Sequence, residues 1–155
     1  MNAKSKRQII IIGRIMFYIY IIMLSYFLFF SERYGRDLVT EEYNLKLFKE
    51  IKRFIKYRKY IGLEGFVVNI VGNILAFSPF GFFLPLLNKS YRKFYVIAFL
   101  SILFSLIIET SQFLLKVGVF DVDDILMNSV GGILGYLAFC ISYAVYKRIY
   151  ARKAP

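Results

Sequence analysis

The chain has 155 residues, 59% of them apolar, and a mean hydropathy of +0.58, which is too greasy for a soluble protein of this length. Lys and Arg number 21 against 10 Asp and Glu, net +11, but the apolar residues run in long blocks, so the charge does not mark a nucleic-acid binder. The absence of His and the single Cys140 exclude the commonest general base, His- or Cys-based zinc sites and any disulfide framework, and no metal or cofactor is expected.

About 20 mostly apolar residues cross a bilayer core as a helix, which satisfies its own backbone in lipid. The blocks of that length are 9–30, 66–87, 94–115 and 125–146. The fold expected is all-α, a polytopic membrane protein with a single membrane domain over 1–155. The first span follows Lys4, Lys6 and Arg7 and is too long for a signal peptide.

In the loop that follows, residues 41–59 read as an amphipathic helix. Leu47, Phe48, Ile51, Phe54 and Ile55 recur at helical spacing, with Lys46, Lys49, Lys52, Arg53 and Lys56 mostly off that stripe. Such a helix is expected in the membrane interface, among membrane lipids with anionic head groups, as a lid over the bundle or as a ligand-recruiting surface.

The second span carries Asn69 and Asn73 on one helical face, and Pro79, Gly81 and Pro85 predict a kink at its far end. The short connection after it holds Lys89, Arg92 and Lys93. The third span bears a stripe of Ser101, Ser105, Glu109 and Gln112. Asp121, Asp123 and Asp124 lead into the fourth, with Asn128 one turn inside; Asp124 is expected to be its N-cap. Gly131, Gly132 and Gly135, continued by Ala138 and Ser142, predict a packing ridge. Whether its partner lies in the same chain or in a second copy of a homo-oligomer stays open at this point.

Basic residues concentrate in the N-terminal tip, the 88–93 connection and the C-terminal tail, which places both termini in the cytoplasm. Chain direction then brings Asn69, Asn73, Glu109, Gln112, Asp121, Asp124 and Asn128 to one end of the bundle, at the extracytoplasmic face. Buried polar groups in spans are costly, so this cluster is the candidate site, with hydrogen bonding that fixes helix register as its structural alternative.

The segment from Asn69 through Asn73 and Pro79 to Phe82 resembles the "N…GN…F.PFG" signature of the VanZ-like family. Ile108 to Phe113, with Glu109 and Gln112, and GVFDVDDILMNSVGG from Gly118 to Gly132 resemble it too. Asn44, Leu45 and Phe48 are similar to its first-loop "NL.PF", with Leu47 in place of the proline, and Val119 stands where many members have Arg. The resemblance implies a bacterial cell-membrane protein that lowers susceptibility to glycopeptide antibiotics, chiefly the lipid-tailed teicoplanin class, with no agreed enzymatic activity. A lipoglycopeptide or a lipid-linked cell-wall precursor is the ligand class such a protein would meet. The competing readings are an intramembrane enzyme using Glu109 with Asp121 or Asp124 on a lipid-linked intermediate, and a small oligomeric transporter.

Overall fold

The structure, a computed structural model, describes residues 3–30, 43–57, 60, 62 and 67–151. Its helices are α1 (Ala3–Phe30), α2 (Lys49–Lys56), α3 (Gly72–Leu87), α4 (Phe94–Leu114) and α5 (Val122–Ala151). Two short strands, β1 (Tyr43–Asn44) and β2 (Phe120–Asp121), pair in parallel, with Tyr43 opposite Phe120 and Asn44 opposite Asp121. The segments Arg7–Phe30, Asn69–Leu87, Phe94–Leu114 and Val122–Ile149 are long and apolar enough to span a membrane. The all-α, four-span architecture is therefore as expected, with the fourth span starting three residues before position 125.

The bundle is organised around α5. In a lipid environment helices gain no hydrophobic advantage from touching one another, so close backbone approach and interhelical hydrogen bonds decide which faces meet. Glycine supplies the approach. A Cβ at Gly135 would lie 1.8 Å from the Ser78 carbonyl oxygen, and one at Gly131 would lie 2.3 Å from that of Ile74, both on α3. From the other side, a Cβ at Gly81 would lie 1.8 Å from the Gly132 carbonyl oxygen. The ridge thus packs within this chain, which answers the question its spacing left open. It ends at Gly135, because Ala138 and Ser142 are exposed.

Beside this contact, Leu24, Leu28, Phe77 and Ile108 form the buried core between α1, α3 and α4. Phe80 stacks on Phe104 with ring centroids 4.4 Å apart. Tyr20 of α1 donates its hydroxyl to the Ala76 carbonyl at 2.8 Å, and the Gln112 amide of α4 donates to the Leu28 carbonyl at 3.0 Å. At the opposite end, Arg92 donates through Nε to the Pro85 carbonyl and lies over the Tyr143 ring, 4.5 Å from its centroid. It ties the end of α3 to α5.

Two elements refine the expectations. First, α3 stays helical through Pro79 and Pro85, so the segment expected to kink is not a broken helix. Pro79 has no N–H to offer the Leu75 carbonyl, and the Ser78 hydroxyl donates to that carbonyl at 3.0 Å instead. The irregular turn lies at the other end, where Val67–Val71, including Asn69, is π-helical. Second, the amphipathic helix expected over 41–59 covers only Lys49–Lys56. Residues 43–44 are strand, and Phe48 has φ 65°, a left-handed conformation that cannot continue a helix. Positions 41, 42, 58 and 59 lie outside the described residues.

Candidate functional site

The third connection is shaped so that three aspartates arrive together at the end of the bundle. After Leu114 the chain leaves α4 through Lys116, at φ 56°. There the Lys116 N–H donates to the Phe113 carbonyl and the Val117 N–H to that of Gln112, the double closure that ends a helix cleanly. The chain then enters β2 and α5. Glu109, 3% exposed and about 8 Å along α4 from Leu114 by helical rise, accepts the Asp121 N–H at 3.2 Å.

Asp121 is buried and has two partners. Its Oδ1 accepts the Asn44 side-chain amide at 3.1 Å and the Asp123 N–H at 2.7 Å. The second bond makes Asp121, and not Asp124, the N-cap of α5. Asp124 instead accepts the Asn73 amide at 2.7 Å, so the N-cap expected there lies three residues earlier, at Asp121. Burial pushes the Asp121 carboxyl above its ordinary value, and the charges of Asp123 and Glu50 push the same way against the two hydrogen bonds.

Asp123, fully buried, reaches outward. Its Oδ1 accepts the Phe48 N–H, and its Oδ2 accepts those of Glu50 at 2.8 Å and Ile51 at 3.2 Å. One carboxylate therefore satisfies the N-terminal donors of α2, a helix that carries no cap of its own. Asn44 completes the junction, because its Oδ1 accepts the Lys46 N–H at 3.2 Å. The basic helix is pinned at its first turn to the start of α5. Within it, Glu50 pairs with Arg53 at 3.1 Å, leaving the helix surface dominated by Lys49, Lys52 and Lys56.

Further into the bundle, the Asn128 amide donates to Ser105 Oγ at 2.9 Å. The structure thus brings Asn73, Glu109, Asp121, Asp124 and Asn128 to one end of the bundle, as their spacing implies. Gln112 is on the same helical stripe, but its amide serves the link to α1. Asn69 sits half-buried in the π turn one turn before Asn73. The residues that sequence reasoning under-weighted are Asp123 and Asn44. Asp123 stood among acids at a helix start, and Asn44 was visible only as part of a short motif.

Chemically, the arrangement is a set of carboxylates committed to backbone N–H groups and side-chain amides. Among the described residues no three Asp, Glu, His or Cys side chains converge as metal ligands.

Comparison with known proteins places these residues in a wider context. The family described as VanZ/LLP1 matches residues 17–143. Protein VanZ of Enterococcus faecium is 34% identical over 73 residues, a stretch that covers 47% of this chain and 45% of that protein. Less than half of that relative's length is therefore matched. No solved structure matches the chain.

Proposed function

This chain is a multi-pass membrane protein of the VanZ/LLP1 family, and on that premise we propose that it lowers susceptibility to lipid-tailed glycopeptide antibiotics without catalysing a reaction. It acts at the extracytoplasmic membrane face, with both termini in the cytoplasm. The observation that carries this reading is the pinning of basic α2 to Asp123 above the layer of Glu109 and Asp121. A helix so held presents Lys49, Lys52 and Lys56 next to the ends of the spans, at the depth where an acylated peptide or the head of a lipid-linked precursor would sit. The carboxylates support a scaffold role because their oxygens hold the first loop and the third connection together. An enzyme would need them presented to a substrate.

The test is the minimal inhibitory concentration in a susceptible host. Expression of the wild-type chain is expected to protect against an acylated glycopeptide more than against an unacylated one. Asp123→Ala, which removes the acceptor of the Phe48, Glu50 and Ile51 N–H groups, is expected to lose most of that protection while still reaching the membrane. Equal protection against both antibiotic types, or wild-type protection from both Asp123→Ala and Glu109→Gln, would overturn the proposal.

A further inference from the structure

The end of the bundle away from α2 gathers two cations on one aromatic ring. Arg92 is fixed there by three contacts. Its Nε donates to the Pro85 carbonyl, its own carbonyl accepts the Tyr136 hydroxyl at 2.8 Å, and its guanidinium lies 4.5 Å from the centre of the Tyr143 ring. The Lys147 ammonium lies 4.9 Å from the same centre, so the two charges are no farther apart than the sum of those distances. Among the described residues neither cation has a carboxylate partner, and the Arg92 fork spends only its Nε on a protein acceptor. Lys89, Lys93 and Arg148 are neighbours in sequence, and no Asp or Glu occurs in residues 65–108 or 125–155. Each cation is attracted by the ring, but the two repel one another, and an anion between them would remove that repulsion.

We infer that this end of the bundle binds the phosphate of an anionic phospholipid between Arg92 and Lys147, with an acyl chain against Phe94. Depth supports a lipid. Tyr143 lies about 30 Å along α5 from Val122 by helical rise, one hydrocarbon thickness, which puts the ring at the level of the head groups. Arg92 and Tyr143 are half-buried and Lys147 is exposed, so the pair can be reached from the membrane. Phe94 stands beside them, its ring 6.2 Å from that of Tyr136, and is 54% exposed where α4 begins its span. A guanidinium fork held in place suits phosphate oxygens, and basic pockets between spans at this depth recognise acidic lipid heads. A zwitterionic head would bring its own ammonium toward Lys89, Lys93 and Arg148, so the site favours a head with net negative charge.

Native mass spectrometry of the purified full-length protein, titrated with phosphatidylglycerol in neutral detergent, tests this directly. The result expected is one tightly retained lipid per chain, held at least tenfold more strongly than phosphatidylcholine. The melting temperature should rise with phosphatidylglycerol and not with inorganic phosphate at equal concentration. Arg92→Gln and Lys147→Gln should each weaken retention at least tenfold, while Arg148→Gln keeps wild-type affinity. Equal retention of phosphatidylcholine, or the same stabilisation by inorganic phosphate, would overturn the inference. So would a loss in Arg148→Gln as large as that in Lys147→Gln, which would show diffuse charge attraction in place of a site. If Arg92→Gln does not fold, Lys147→Gln decides, since Lys147 is exposed and wild-type retention in that variant would also overturn the inference. The pair lies at the opposite end of the bundle from α2 and Glu109, so a host that gains no protection would leave it standing.

Discussion

Asp121 and Asp123 lie two residues apart and face different electrostatic problems. Asp123 serves backbone donors on both of its oxygens, whereas Asp121 directs one oxygen to Asn44 and to the Asp123 N–H. An asparagine at 121 can still accept both bonds through its own Oδ1 and would carry no charge. The Asp121 carboxyl is raised in the folded state by burial first, so the folded protein binds its proton more readily than the unfolded chain does. Its contribution therefore favours folding below the ordinary aspartate range and is lost as pH rises through the raised folded value. Asp121→Asn is expected to remove that component, flattening the stability profile between mildly acidic and neutral pH and stabilising the protein at neutrality. Unfolding followed by circular dichroism in detergent at several pH values checks this; an unchanged profile in the variant would assign the pH dependence to other groups.

At the level of elements, the two sides of the glycine ridge differ in what they touch. Gly135 meets α3 backbone, which cannot step aside, while an added Cβ at Gly132 would lie 2.1 Å from Ser101 Oγ and 2.7 Å from Ser101 Cβ. Gly135→Ala must push α5 away from α3, and overpacking of this kind costs about 1–3 kcal/mol. Gly132→Ala should cost less because it meets one side chain and no backbone within 3 Å, and the double variant Gly132→Ala with Ser101→Ala should recover only the share owed to the hydroxyl, since the Ser101 Cβ stays. Thermal unfolding of the three variants measures this; a Gly132→Ala loss equal to that of Gly135→Ala, with no recovery, would contradict the geometry. The ridge was legible as Gly131, Gly132 and Gly135 because small residues at helical spacing in an apolar span have few other uses. Its partner was not, since glycine spacing is the same whichever helix approaches. The amphipathic helix was overextended for a related reason. Leu47 and Phe48 continue the apolar spacing of Ile51, Phe54 and Ile55, but periodicity does not report that Phe48 turns left-handed where Asp123, 75 residues on, takes its N–H.

For the molecule as a whole, four long apolar blocks left little choice of fold, and chain direction alone placed Asn73, Glu109 and Asn128 at one end. The role of Asp123 stayed hidden because the donors it serves, at residues 48–51, are joined to it only by folding. Which side of the membrane that end faces follows from charge. Lys89, Arg92 and Lys93 sit in a connection without acids, whereas Lys116 shares its connection with Asp121, Asp123 and Asp124. Basic short loops are retained in the cytoplasm, so Ser90 should be inside and Gly118 outside. With Cys140 replaced by serine, single cysteines at Ser90 or Gly118 can be challenged in intact cells with a thiol reagent that does not cross membranes. Labelling is expected at position 118 and not at 90 until the cells are permeabilised. The reverse pattern would put the α2 junction and the Glu109 layer in the cytoplasm, where they could not meet an antibiotic arriving from outside, and the interception mechanism would fail while the fold remained.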